Sequence, residues 1–367
     1  MPVKPSRPSA VPILTSLILY LAVLAPTAVL ANDAQAAARL QQLGDAVSSD
    51  RQHLARGWLV EVSSDPTLTV NAREFLLYEG LLALGSLANP DDQTRNAVKE
   101  LLGYQSASTT TLSEGNRRLT VPLHDISSAA RLTLGNWRVQ SARREILSKI
   151  ASGQPPLPDW SADANENRRI AAGLKQALAE LSPAELRAWR MQISSALYDD
   201  PRLASSVLLI ARRLGDQYLY RQLATQAPAP VVLDMIRDLD QSLDSGKNLA
   251  ILSLVRQRDE LASAAILATG RLQINDPSAK ELLFALLDDP LHGGSAASAL
   301  ARNGSLPDIR RLAAIVLDES AGTARRTAVL ALRLNISPAA RTELGRLAAD
   351  PRLSRNLRQE ITQWLDL

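Results

Sequence analysis

The stretch TARRTAVLALRLNISPAARTELGRLAAD, residues 323–350, decides the fold. Its apolar residues recur at helical spacing on both sides of Ser337-Pro338. Proline suits the start of a helix, where its missing N–H would have no helical partner, and Ser337 is a competent N-cap. The stretch therefore reads as two helices joined by a turn. The pattern recurs upstream. Pro277, Pro307 and Pro338 are spaced 30 and 31 residues apart, and Asp276 precedes the first as a second N-cap candidate. Helical segments open near residues 201, 230, 259, 291, 321 and 353. Ala279/Leu286, Ile309/Val316 and Ala340/Leu347 hold equivalent places after the three prolines and predict one buried face. Leu282/Leu283, Leu312/Ala313 and Glu343/Leu344 extend it, with Glu343 the one departure. A helix pair is too thin to bury its own apolar face, so neighbours must stack into a continuous core. Ala296, Ala299, Ala328 and Ala331 allow close helix approach, and the polar-backed Ser354–Leu367 segment suits a terminal cap.

Arg325-Arg326-Thr327-Ala328-Val329-Leu330-Ala331-Leu332 resembles the first helix of the short, roughly 30-residue HEAT repeat, whose pattern is Arg-x-x-Ala-Ala-x-Ala-Leu. Ala296-Ala297-Ser298-Ala299-Leu300 matches the tail of that helix, with Gly293 in place of the arginine. Ile309, Leu312, Ile315, Val316, Leu317 and Asp318 look like the second helix and its closing acid. Ala83-Leu84-Gly85-Ser86-Leu87-Ala88-Asn89-Pro90-Asp91 resembles the same helix–turn junction and precedes an amphipathic Thr94–Leu102. The resemblance is good over 259–352, fair over 71–103 and 201–258, and poor over 104–200. It implies an all-α, right-handed α-solenoid of HEAT-like helix pairs.

Outside the repeats, strand-like runs are brief, as at Leu59–Val62 and Leu119–Leu123, and a Ser/Thr-rich stretch from Gln105 to Asn116 reads as a polar loop. The expected organisation is a signal peptide at 1–31, a helical domain at 32–150 with a degenerate repeat, a Pro-rich linker at 151–162, and a solenoid with its cap at 163–367. Lys4 and Arg7 form a basic n-region, Val11–Leu24 an apolar core, and Pro26 a helix breaker before small residues at Val29-Leu30-Ala31. Ala34-Gln35-Ala36 offers a second cut, and a single N-terminal membrane anchor is the alternative.

Cysteine is absent from the 367 residues, which excludes disulfides, thiolate-held zinc, iron–sulfur clusters, cysteine nucleophiles and a lipobox. The formal charge of +3 falls to +1 without residues 1–31, so charge does not point to nucleic acid. Arginine outnumbers lysine 35 to 6, which reads as the codon bias of a GC-rich genome. HExxH, GxSxG, SxxK, Walker A and GxGxxG are all missing, and no metal or cofactor is expected. His53, His124 and His292 lie far apart in sequence; His124 precedes Asp125, the N-cap of a helix expected over Asp125–Trp137. Glu319-Ser320 superficially resembles the start of a lytic transglycosylase motif, but Asp289, Glu319 and Asp350 share one repeat position and read as turn residues. The Asp-Asp pairs at 91–92, 199–200 and 288–289 likewise fall at helix junctions. Five dispersed tryptophans read as packing or capping residues.

Lys280, Arg310 and Arg341 each follow a repeat proline by three residues, with Arg311 beside the middle one. Stacking would align them into a cationic row for an acidic protein segment or an anionic envelope polymer. The competing reading is a salt-bridged surface that uses Glu281, Asp308 and Glu343. The expected function is an exported, non-enzymatic scaffold that binds a protein partner in a bacterial periplasm, without nucleic acid or stable membrane insertion after cleavage. The alternatives are an envelope-glycan enzyme or its accessory subunit, and a ligand-handling protein after the manner of the chromophore lyases that carry short HEAT repeats.

Overall fold

The computed structural model describes residues 29–365 other than residue 116, so the signal segment expected at 1–31 lies almost wholly outside the described residues. Among these the chain forms eighteen α-helices and two short strands. It divides into two compact units between Ser141 and Ala142.

The first unit holds α1 (Val29–Ser48), α2 (Gln52–Ser64), α3 (Val70–Leu84), α4 (Asp92–Glu100), β1 (Thr109–Glu114), β2 (Arg117–Pro122) and the start of α5 (Ile126–Ala151). Thr69 caps α3 and Asp91 caps α4, each accepting a hydrogen bond from a first-turn backbone N–H. Leu43, Trp58, Leu76, Leu81, Val98 and Ile126 are among the buried core residues. The Trp58 ring needs the missing side chain of Gly80, where a Cβ would meet Trp58 within 2.5 Å. Its indole N–H donates to the Arg39 carbonyl at 2.8 Å, and that of Trp137 donates to Leu84, also at 2.8 Å.

Three sequence expectations change here. Leu59–Val62 lies inside α2, where Leu59 and Val62 are three apart and buried on one helical face. The stretch expected to be a polar loop supplies β1: its threonines are β-branched and pair antiparallel with β2, Thr110 opposite Val121 and Leu112 opposite Leu119. Glu114 pairs with Arg117, leaving a two-residue connection that begins with Gly115 at φ 60°, where glycine carries no steric cost. The helix expected over Asp125–Trp137 also runs on to Ala151.

The second unit continues with α6 (Ala164–Glu180), α7 (Pro183–Ala196), α8 (Ala204–Leu214), α9 (Gln217–Gln226), α10 (Ala229–Ser242), α11 (Ser245–Val255) and α12 (Asp259–Leu272). It ends with α13 (Pro277–Ala285), α14 (Gly293–Asn303), α15 (Leu306–Leu317), α16 (Gly322–Leu334), α17 (Pro338–Ala349) and α18 (Arg355–Leu365). The division between units lies within α5, ahead of the Pro-rich segment expected to be the linker. That segment is packed: Pro156 is buried, Leu157 and Trp160 rest against the core, and Lys149 donates to the Leu157 carbonyl at 2.9 Å. The apolar residues among its prolines tie it to the second unit.

The helix starts fall close to the positions read from sequence. The even-numbered helices α8 to α18 open at Ala204, Ala229, Asp259, Gly293, Gly322 and Arg355. Pro277 and Pro338 are first residues of α13 and α17, and Pro307 is the second of α15. Asp276 accepts from Ser278 N at 2.9 Å, and the Ser337 hydroxyl accepts from Ala340 N at 3.2 Å. Ala279, Leu286, Ile309, Val316, Ala340 and Leu347 are all buried. Glu343 pairs instead with Arg346 at 2.7 Å. Each even-numbered helix from α6 to α14 packs against the next, and the odd-numbered helices pack against this ladder.

Small residues set the spacing of the ladder. A Cβ on Gly270 of α12 would lie 2.9 Å from Ala299 Cβ of α14, and Gln273 donates to the Ala299 carbonyl at 2.9 Å across the same contact. Gly293, the glycine that replaces the repeat arginine, faces α16: a Cβ there would lie 2.9 Å from Thr327 Cγ2 and 2.8 Å from the Leu287 carbonyl. Arginine would not fit.

Many of the arginines that composition alone assigns to codon usage close helix ends. Arg213 donates to the Leu178 and Ala179 carbonyls in the last turn of α6, and Arg258 to Ala227 just past α9. Arg325 reaches Val316 near the end of α15. Carbonyls at a helix C-terminus run out of helical partners, and a cation beside them also opposes the negative end of the helix dipole.

Ala299→Leu is expected to destabilise the protein by about 1–3 kcal/mol through overpacking, and Gly270→Ala to destabilise it through the same contact. Gly345 of α17 has open space around its Cβ position, so Gly345→Ala is expected to gain about 0.5–1 kcal/mol from helix propensity. Urea unfolding of the three variants checks this; unchanged midpoints for Ala299→Leu and Gly270→Ala would contradict the close contact.

Candidate functional site

The four cations singled out from sequence stand in the first two turns of α13, α15 and α17, and three of them are tied to this unit's own groups. Lys280 Nζ lies 3.0 Å from Asp308 Oδ2, linking α13 to α15. Arg311 grips Glu281 with two hydrogen bonds, at 2.5 and 2.8 Å, and its guanidinium lies 3.9 Å from the centre of the Phe284 ring. Arg341 donates to the Leu365 carbonyl of α18 at 2.7 Å. Arg310 is exposed and carries no ion pair among the described residues.

Asp308 is the hub of this arrangement. It is 6% exposed and also accepts from the Ser305 backbone N–H at 3.0 Å and the Ser305 hydroxyl at 2.6 Å. Burial pushes its carboxyl up, but the hydrogen bonds from Ser305 and Lys280 outweigh that and hold it below the ordinary aspartate value. Glu281 is likewise held low, chiefly by the Arg311 hydrogen bonds. Much of the row thus stitches neighbouring helices together.

The turns that lead into these helices form one edge. A Cβ on Gly304, between α14 and α15, would lie 2.8 Å from Asn335 Nδ2, between α16 and α17, so consecutive turns touch. Ile274, Leu306, Leu334 and Ile336 are exposed along this edge. Arg302, in the last turn of α14, is exposed and has no ion pair among the described residues. Sequence reasoning missed these aliphatics because turn residues fall outside the helical period; their placement just before each repeat proline is the signal that finds them.

Of the sequence's acidic candidates, Asp289 and Asp350 resolve as turn caps and Glu319 does not. Glu319 is exposed, and the neighbouring Asp318 accepts from Ser320 N at 2.9 Å. The equivalent bonds come from Leu291 N to Asp289 at 2.8 Å and from Arg352 N to Asp350 at 3.0 Å, so the repeating turn acid is Asp318 rather than Glu319. Of the tryptophans, Trp160 and Trp364 lie under Arg202 and Arg333, at 4.2 and 4.4 Å. His53 is exposed, and His292 accompanies the Asp289 turn by donating its backbone N–H to Asp289 at 3.0 Å. Among the described residues no group of three or more His, Asp or Glu could hold a metal, and no helix is long and apolar enough to cross a membrane.

His124 belongs to a cluster in the first unit that sequence reasoning also missed. Its ring lies 5.6 Å from Phe75 and 6.0 Å from Tyr78, beside the wholly buried Glu74 of α3. Glu74 Oε1 accepts from Ala107 N at 2.6 Å and Oε2 from Ser108 N at 2.9 Å, which pins the chain entering β1. Leu123 N closes the other strand onto the Ser108 carbonyl at 2.8 Å. Burial pushes the Glu74 carboxyl up, but the two amides and the His124 charge outweigh that and hold it below the ordinary glutamate value. Burial pushes His124 below the ordinary histidine value, and Glu74 offsets part of that. An ionised carboxylate with both oxygens occupied is a clamp for the hairpin. The clue in sequence is spacing: Glu74 precedes Leu77, Leu81 and Leu84 by three, seven and ten residues and so shares the helical face that α3 buries.

Both groups bind fewer protons folded than unfolded. Their stabilisation is complete above the unfolded pKa values and is lost as pH falls through the folded ones: first for His124, below about pH 6.5, then for Glu74 in the acid range. Glu74→Ala is expected to cost about 1–3 kcal/mol and to speed hydrogen exchange at the Ala107 and Ser108 amides. Unaltered exchange there would show that Glu74 does not hold the hairpin.

No family model, curated protein or solved structure matches this chain.

Proposed function

We propose that the second unit is a right-handed α-solenoid of HEAT-like helix pairs, and that the protein is an exported, non-enzymatic scaffold binding a protein partner in the bacterial periplasm. The observation that carries this reading is the ladder from α6 to α16, in which each even-numbered helix packs on the next and the chain repeats at about thirty residues. Such an array builds long surfaces from equivalent positions, which suits recognition of another chain. Fold analogy supplies the step from array to scaffold. Asp289 and Asp350 serve backbone N–H groups, and Glu319 stands exposed beside the capping Asp318 with no group of three or more His, Asp or Glu that could hold a metal among the described residues, which favours this reading over a glycan-cleaving one.

Export rests on the N-terminal sequence: Lys4 and Arg7, the apolar Val11–Leu24, Pro26 and the small residues after it. Cleavage after Ala31 or Ala36 leaves a mature chain that begins at Asn32 or Ala37.

Affinity purification of the full chain from the cell envelope of its source, followed by mass spectrometry, tests both parts. The expected outcome is a reproducible protein partner, bound to a soluble chain that starts at Asn32 or Ala37. Retention of Met1–Ala31 on membrane-bound protein would overturn cleavage in favour of a single N-terminal membrane anchor. Release of muropeptides by the purified protein, with no partner, would overturn the scaffold.

A further inference from the structure

Four aliphatic side chains stand in water in, or at the helix ends beside, the turns before α13, α15 and α17. Ile336 is 102% exposed, Ile274 68%, Leu306 46% and Leu334 45%. Single exposed aliphatics are ordinary, and a set confined to one edge is not. The turns holding Leu306 and Ile336 touch through Gly304 and Asn335. The turn of Ile274 joins them through Gln273, bonded to Ala299, and through Lys280, bonded to Asp308. Local structure requires none of the four, since Asp276, Ser337 and the Ser305–Asp308 pair do the capping.

Charge is sorted along the same edge. Its acids face inward: Asp276 is 9% exposed and bonded to Ser278 N and Ala279 N, and Asp308 is held by Ser305 and Lys280. Arg302 and Arg310 are exposed, each four residues from Leu306 along the chain. A surface of aliphatic tips with free guanidinium groups between them complements a segment that presents both apolar groups and carboxylates.

We infer that this turn edge, Ile274, Leu306, Leu334 and Ile336 with Arg302 and Arg310, docks a protein segment that is acidic and carries aliphatic side chains. The inference rests on the scaffold reading and specifies where and what the scaffold binds. A protein segment fits better than an anionic membrane. Lipid recruitment generally draws on clusters of about four to eight basic residues, whereas Lys280, Arg311 and Arg341 are committed to Asp308, Glu281 and the Leu365 carbonyl. The helices that carry the tips pack on one another at about 8–10 Å between axes, so one extended segment can reach several of them.

Photo-cross-linking of the full chain in its source cells tests this. Benzoylphenylalanine is placed at Ile336, and in separate variants at Leu291, in a turn between α13 and α14, and at Val60 on α2, both exposed. The expected result at Ile336 is a protein adduct whose cross-linked segment, mapped by mass spectrometry, has net negative charge and aliphatic residues. Adding Arg302→Ser and Arg310→Ser should lower its yield about fivefold, as loss of two surface charges would, with no change in the thermal melt. A lipid adduct, a basic segment, or a yield indifferent to the two arginines overturns the inference. Protein adducts at Leu291 or Val60 but not at Ile336 overturn this edge and leave the scaffold standing. No protein adduct at any position overturns both.

Discussion

The contact between Gly270 of α12 and Ala299 of α14 is the constraint on which the second unit depends. With no side chain on one helix and a methyl group on the other, the backbones approach until a Cβ on Gly270 would lie 2.9 Å from Ala299 Cβ. At that separation Gln273 reaches the Ala299 carbonyl, and the following turns come into register, so that Lys280 meets Asp308 and Gly304 meets Asn335. Gly293 against Thr327 performs the same service one step along. Larger residues would push the helices apart and break the polar links between turns. The edge that carries the aliphatic tips therefore exists because the ladder beneath it is tight.

Within that frame most charge is spent internally. Arg213, Arg258 and Arg325 satisfy carbonyls at helix ends, and Arg212 joins α8 to Asp238 of α10 at 2.8 Å. Exposed ion pairs such as Arg311–Glu281 are weak individually. Their effect is to fix the register of neighbouring helices. Arg302 and Arg310 take no part in this pairing among the described residues, and each lies four residues from the exposed Leu306.

The parts of the fold legible in sequence are those governed by local rules. Pro277, Pro307 and Pro338 with their capping residues mark helix starts because capping is decided within about three residues. The buried face of α13, α15 and α17 follows from period alone. Local rules fail where the partner is distant or is backbone. Glu74 is held by the amides of Ala107 and Ser108, more than thirty residues away, and a backbone N–H leaves no mark in residue type. The hairpin was hidden because threonine and serine suit polar loops as well as strands, and only pairing with Leu119 and Val121 decides between them. For the cation row, sequence supplied both outcomes, the aligned cations and the acids beside them. Geometry assigns Lys280 to Asp308 and Arg311 to Glu281, which sequence spacing alone left open.

If neighbouring helices hold one another in series, the loss of an end must be felt in order of distance. The most direct measurement is hydrogen exchange, by mass spectrometry, on the full chain and on a chain lacking residues 351–367, which removes α18 from its contact with α17. The account predicts faster exchange in α17 and α16, a smaller change in α14, and none in α6 and α8. A uniform rise across the second unit, or unchanged protection in α17, would contradict it.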